Sequence, residues 1–326
     1  MAKYKWILLV AVALILSSWG YLVHRTIHQL AIYKLPSGLQ AFFYDNKEKL
    51  VMDAPRPDQR RFTDKTEGSK HFIDMEYFGD SAKYALPQTW DEAIKKYPAD
   101  TLHKYGTSPY NIIEVYNKLV QAFKNKNKDS ILFYATDLGH YIADAHVPLH
   151  TSLNYDGQLT NQHGVHDLWE TTVPELVLNE YNLYSKKKAK YISSITQATW
   201  DIIWHTHSLL PEMFAQEIAI SKNFNDSTKY EWKMRWGKNR RFYSSEFARQ
   251  YNKALGNSIN KQLLLSAENI ASFWYTAWVD AGKPDLNTLI DTPVDGKQLK
   301  SELKLYKKNK LIEKGQLIAK EVKTDD

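Results

Sequence analysis

Apolar positions recur along most of the chain at helical spacing. From Asn111 to Phe123, the residues Ile112, Val115, Tyr116, Leu119, Val120 and Phe123 fall three and four apart, the stripe of an amphipathic helix. A second helix is predicted from Asp129, which can cap it, through Ser130-Ile131-Leu132 to Val147, where Pro148 forbids an unbroken continuation. Ser194 to about Leu209 repeats the pattern before Pro211, and a longer helix runs from about Ser258 to Ala281, stopped by Gly282 and Pro284. Alternating runs with hairpin dipeptides are scarce, so no sheet of consequence is expected, and no fixed-period repeat appears. Asp53 to Lys70, rich in Pro, Asp, Arg and Lys, reads as loop. So does Leu153 to His163, with Asn154, Asp156-Gly157 and Asn161 as turn formers. The pattern predicts one all-α, multi-helix domain up to Pro293. A lysine-rich extension over 294–326 then reads as a solvated helix or frayed tail, with a membrane-surface helix as the lesser reading.

The N-terminus departs from this pattern. Lys3 and Lys5 precede an unbroken apolar run from Ile7 to Leu16, and the small residues Ser17 and Ser18 follow. That is the outline of a secretory signal peptide over 1–18, too short for a comfortable membrane span. Cleavage after Ser18 would start the mature chain at Trp19 and place it in the periplasm or outside the cell. The two departing lysines would take the formal charge from +6 to +4. A mildly basic balance is compatible with an anionic substrate and argues for none. Cysteine is absent, which excludes disulfides, thiolate nucleophiles and cysteine-type zinc sites. Any metal must be held by carboxylates and by the 11 histidines.

Those residues are densest between Asp137 and Glu170. His140 and Asp144 stand four apart on a predicted helix, so both leave one face, a turn apart. His150 follows Pro148, and His166 with Glu170 repeats the four-residue spacing on another short helix. Imidazole and carboxylate at this spacing are suitable zinc ligands. Leu138, Tyr141, Ile142 and Ala145 make the first helix substantially apolar, so His140 and Asp144 need partners. A structural His–Asp hydrogen bond would satisfy one pair. It does not account for two pairs plus His150, and metal binding between helices is the expectation.

Three further elements extend the set: His24 five residues after Trp19, Asp58 in Pro57-Asp58-Gln59-Arg60-Arg61, and His71 in Lys70-His71-Phe72-Ile73-Asp74. Together and in this order, from Trp19 to about Glu170, the positions resemble the superfamily of trinuclear-zinc phosphoesterases. Its main branches are the zinc-dependent bacterial phospholipases C and the single-strand-specific nucleases of fungi and plants. The resemblance implies three Zn²⁺ in an all-α fold. Asp58, His71, His140 and Asp144 would hold one. Trp19, through its free α-amine and carbonyl, and His24 would hold a second, with Asp144 bridging. His150, His166 and Glu170 would hold the third. His146 and His163 lie near enough to act as orienting partners, while His28, His103, His205 and His207 read as structural.

The expected activity is that of a secreted zinc-dependent phosphoric diester hydrolase. Three dications outweigh the three carboxylates, which suits a phosphodiester anion and its more charged transition state. Asp58 and Asp144 are assigned to catalysis as well as ligation, in an in-line attack of zinc-bound hydroxide on phosphorus without a covalent enzyme intermediate. Glu170 as the last ligand resembles the phospholipase branch, where the nucleases commonly place Asp. His71-Phe72-Ile73-Asp74 resembles the nuclease branch, which makes Phe72 and Asp74 candidate substrate-binding residues through stacking and hydrogen bonding. The missing cysteines depart from the disulfide-bearing nucleases. A phospholipase C-like monomer with peripheral membrane contact is therefore the first reading, and a single-strand nuclease releasing 5′-nucleotides the alternative. A zinc-stabilised binding protein without activity is a third reading.

Overall fold

The computed structural model describes residues 20–79, 86–235, 237–291 and 294–321. The expected leader, Trp19 and Pro293 lie outside the described residues. About 65% of the structure is helical, and the sheet among the described residues has two strands, which makes the protein an all-α domain. Among the described residues no helix is long and apolar enough to cross a membrane.

Four helices form the frame: Tyr21–Ile32, Ser108–Lys124, Lys128–Asp144 and Ser258–Asp280. The middle two are an antiparallel pair joined through Asn125–Asn127, where Lys126 takes a positive φ of 49°. The cap of the third is Asn127, whose side chain accepts from Ser130 N at 2.9 Å, two residues before the expected Asp129. This helix ends at Asp144 rather than Val147, because Val147 must be extended before Pro148. Trp274 and Phe43 stack at 4.7 Å in the core, and Trp274 Nε1 donates to the Ala135 carbonyl at 2.9 Å. Gly139 lets the first helix approach the third. A Cβ there would stand 2.4 Å from His28 Nε2.

Three segments differ from their sequence reading. Asp53–Lys70 is not all loop: Arg56–Arg60 is a helix with Pro57 in its first turn, where the missing N–H costs nothing, and a 3₁₀ turn runs over Gly68–His71. A hairpin, Tyr230–Arg235 with Lys238–Tyr243, pairs antiparallel with Trp232 opposite Arg241. Its alternation is short and mostly polar, a weak signal. The lysine-rich C-terminal segment is solvated on one side only. Its helix, Gly296–Lys307, buries Tyr306 and Glu302, and Leu311, Leu317 and Ala319 continue the contact. Glu302 accepts from Tyr33 (2.9 Å), Tyr44 (2.6 Å) and Lys47 (2.6 Å). Gln29, buried on the first helix, donates to the Gln316 carbonyl and accepts from Ile318 N. The last elements thus brace the helix that carries His24.

Burial opposes the charge on Glu302, but Lys47 and the Tyr44 hydroxyl outweigh it and hold the carboxyl below its ordinary value. A depressed carboxyl stabilises the fold above its unfolded-state pKa, and the contribution disappears as the pH falls through the folded value. Glu302→Gln is expected to lower the unfolding free energy by about 1–3 kcal/mol near neutral pH. Urea melts from pH 7 down to pH 3 check this, with the gap between the two proteins narrowing in acid.

Candidate metal centre

The Lys128–Asp144 helix aligns Asp137, His140, Tyr141 and Asp144 at relative positions 0, 3, 4 and 7, which is one face. At its outer end Asp137 accepts from Arg56 (2.6 Å) and Arg60 (2.9 Å), four apart on the short helix Arg56–Arg60. Asp58 lies midway between these two arginines and is carried toward His140 by the clamp. Arg60 also donates twice to the buried Glu67, at 3.0 and 3.1 Å, and Tyr141 donates its hydroxyl to the same carboxylate. Glu67 Oε1 stands 3.5 Å from His71 Nε2. On the other ring, His140 Nδ1 is 2.9 Å from the Ala54 carbonyl, which can only accept; the proton therefore sits on Nδ1 and the Nε2 lone pair faces the site.

Inside this frame the donor atoms converge. His71 Nδ1 and His140 Nε2 lie 2.8 and 3.2 Å from Asp144 Oδ2, and 3.6 and 3.7 Å from Asp58 Oδ1. Tetrahedral ligands about 2.0–2.1 Å from a zinc-sized ion are separated by about 3.3 Å, so the spacing suits a cation. The other oxygen of Asp144 faces away from this group, 3.4 Å from His24 Nε2 and 3.7 Å from His150 Nδ1. One buried carboxylate thus serves two groups of donors. His24 stacks on His140 with ring centroids 4.1 Å apart.

The outer group is built on irregular chain. His166 sits on the short helix Val165–Asp167, and a π-helical turn over Leu168–Thr172 carries Glu170. Glu170 Oε2 lies 2.9 Å from His166 Nε2 and 3.4 Å from His150 Nε2, and those two nitrogens are 3.0 Å apart. Its Oε1 is 4.0 Å from His24. Gly20, at φ 77°, enters the first helix against this carboxylate, and a Cβ there would meet Glu170 Oε1 at 2.8 Å.

The electrostatics agree with a site made for positive charge. Burial works against a charged His71, yet Asp144 and Glu67 outweigh it and lift its pKa to about 9. His140 is raised despite its own burial, by Asp144 and Asp58, and His166 by Glu170. Burial likewise opposes charge on Asp144 and Glu170, but the surrounding imidazoles hold both carboxyls well below their ordinary range. Without a metal, protons occupy the place a cation would take. Imidazole and carboxylate donors, turned toward common points with ring nitrogens facing each other, fit a metal ion. Among the described residues, four sets of three donors can hold one: His24, Asp58 and His140; His71, His140 and Asp144; His150, His166 and Glu170; His24, Asp144 and Glu170.

All the described candidate ligands are therefore brought together, while Trp19 lies outside the described residues. Phe72 and Asp74 take another direction. Their backbone is tied to Ser108, Tyr105 and, through Ile73, to His150, and neither lines the cleft over the donors. Burial, then the neighbouring Glu76, pushes the Asp74 carboxyl up to about 6. His146 is buried between the Ile142 carbonyl and Asn269, whereas His163 is exposed and in none of the donor sets. His28 bridges the His24 and Thr136 carbonyls, and His207 bonds Thr151. Sequence reading missed Glu67, Arg60 and the role of Asp137. Asp137 repeats the His140–Asp144 face one turn earlier, a signal that was available. It also missed the cleft wall contributed by Arg240 and Arg241, which depends on the hairpin. No family model matches the chain, and no curated protein matches it.

Gly20→Ala should displace Glu170 and strain a left-handed backbone, costing about 1 kcal/mol in an unfolding titration. Elemental analysis should find less bound metal in it than in the parent. Asp144→Asn should lose more metal than His140→Ala, because one carboxylate faces two groups of donors; equal losses would contradict the shared role. A third expectation concerns pH. His71, raised to about 9, stabilises the metal-free fold fully below its unfolded value of 6.5, and that contribution is lost as the pH rises toward 9. Metal requires neutral imidazole, so the thermal shift produced by added zinc should grow over the same interval. Differential scanning of stripped and zinc-loaded protein from pH 6 to 9 measures both trends.

Proposed function

We propose that the protein is a zinc-dependent phosphodiester hydrolase, phospholipase C-like in its substrate, secreted or periplasmic and monomeric. The observation that carries this reading is the overlap of donor groups through Asp144 beneath an open cleft of about 730 Å³. Three Zn²⁺ would be held by Asp58, His71, His140 and Asp144; by His24 with Asp144 and the mature N-terminus at Trp19; and by His150, His166 and Glu170. Bound zinc supplies Lewis acidity toward a phosphoryl oxygen and brings water to the hydroxide state near neutral pH.

The remaining work falls to the chain. Asp58, His150, His166 and Glu170 are the partly exposed members of the set and line the cleft floor with Asp144. Arg61, Arg240 and Arg241 line its walls, where fixed positive charge draws in and orients a phosphodiester anion. The Arg60–Glu67–Asp137 network keeps Asp58 and His71 aimed inward, so the donors need little rearrangement when substrate arrives. The hairpin that supplies Arg240 and Arg241 also exposes Trp232 (65%) and Met234 (69%), apolar groups of the kind that enter a lipid surface flanked by basic residues.

A single-strand nuclease is the second reading, favoured by Tyr21, Phe62 and Phe242 beside the same arginines. Aromatic faces interleaved with cations make a stacking platform for unpaired bases. Purified mature protein loaded with zinc and offered phosphatidylcholine vesicles, single-stranded DNA and RNA separates the readings. Phosphocholine release supports the lipid enzyme and 5′-nucleotides the nuclease. No product from any of the three, nor from a chromogenic phosphodiester, would leave a zinc-stabilised binding protein.

A further inference from the structure

Beside His24, and sharing only Glu170 with the lining of the cleft, lies a small pocket of about 30 Å³. Its walls are mostly apolar, with Val23, Ile27, Trp169 and Leu263 among them, yet four buried polar side chains also line it, His24, His146, Gln262 and Ser266, together with the partly exposed Glu170. Among the described residues, His24 Nδ1, both amide atoms of Gln262 and the Ser266 hydroxyl have no hydrogen-bond partner. Four such atoms around one cavity are not a scatter of exceptions. Buried polar groups normally find partners, and apolar replacement of an unpartnered one is neutral or stabilising.

The pattern on the Ser258–Asp280 helix sharpens the point. Ile259, Leu263, Ala267 and Ile270 present an apolar face to the core. Gln262, Ser266 and Asn269 follow at i, i+4 and i+7 and form a polar stripe against the rear of the site. Asn269 already bonds His146 Nε2 at 3.0 Å. Among the described residues, Gln262 and Ser266 have no such protein partner. Of the two imidazoles in this pocket, His146 is bonded at both nitrogens, and the one with an open nitrogen is His24, whose Nε2 faces Asp144 and Glu170. A cavity needs about 10–15 Å³ of probe-centre space for one water, so this one has room for one or two.

We infer that Gln262 and Ser266 are positioning residues for His24, holding its Nδ1–H through water bound in this pocket. The arrangement keeps the proton on Nδ1 and leaves Nε2 free as the donor. The Ala54 carbonyl does the same for His140 directly. Gln262 supplies both an acceptor and a donor, and Ser266 a hydroxyl able to act as either, which matches the two to four partners a bound water requires. This inference rests on the reading of His24 as a metal ligand.

The test compares Gln262→Leu and Ser266→Ala with the parent chain. Zinc affinity is measured by chelator competition, and thermal unfolding is measured on metal-stripped protein. A positioning role predicts zinc binding weakened roughly 10–100-fold at the weakest-held ion, while the stripped variants melt within about 4 °C of the parent. Zinc affinity unchanged in both variants overturns the inference and leaves the metal reading standing. A parent chain that binds no zinc overturns both. Ser266→Ala removes a single oxygen and serves if the leucine variant folds poorly. A high-resolution crystal structure gives a second measurement: a bridging water within hydrogen-bond distance of His24 Nδ1 is expected, and a dry cavity contradicts the proposal.

Discussion

A fully buried carboxylate at the end of a core helix sets the terms for everything around it. Asp144 is 1% exposed, and its two oxygens face different sets of imidazoles. Burying such a charge alone would be prohibitive, so its neighbours must supply positive charge, whether as protons on rings or as a metal ion. The first helix brings His24, the third its own His140, and the 3₁₀ turn His71. Gly139 permits the close helix approach, and Gly20 admits the chain beside Glu170. Small residues and polar ones are placed together because the same few ångströms must hold both backbone and charge.

A shell of opposite charges surrounds that centre. Arg60 joins Glu67 to Asp137, and Glu67 in turn lies against His71 of the donor set. Each acid also meets a second cation, Lys70 at Glu67 and Arg56 at Asp137, so both buried charges are compensated. Together they fix the short Arg56–Arg60 helix, which the local sequence, rich in Pro and charge, does not favour by itself. Tertiary ion pairs make this segment helical.

Legibility follows the range of the interactions. The helices at 108–124, 195–207 and 258–280 are written in local apolar spacing and are found within a few residues. The His140–Asp144 and His166–Glu170 pairs are local too. Their separation of four identifies shared faces, although the π-helical turn at Leu168–Thr172 is not encoded in any periodicity. What escapes a linear reading is non-local: Glu67 becomes important only once Tyr141 and His71 are folded against it. The lysine-rich tail reads as solvated because its buried acid, Glu302, has partners more than 250 residues away, Tyr44 on the helix Ser37–Asp45 and Lys47 on the helix Lys47–Met52.

The site divides along the same line. His24, His140 and Asp144 ride on long helices packed into the core, so their geometry is inherited from the fold and changes only if the fold does. His150, His166 and Glu170 sit on a 3₁₀ turn, a three-residue helix and a π turn, where fewer core contacts resist movement and solvent reaches the side chains. A centre built this way has an inner half that stores charge and an outer half that can meet a ligand. Asp144 joins them. The Ala54 carbonyl that keeps His140 in its tautomer is outside the lining of the cleft, where a ligand entering the cleft does not compete for it.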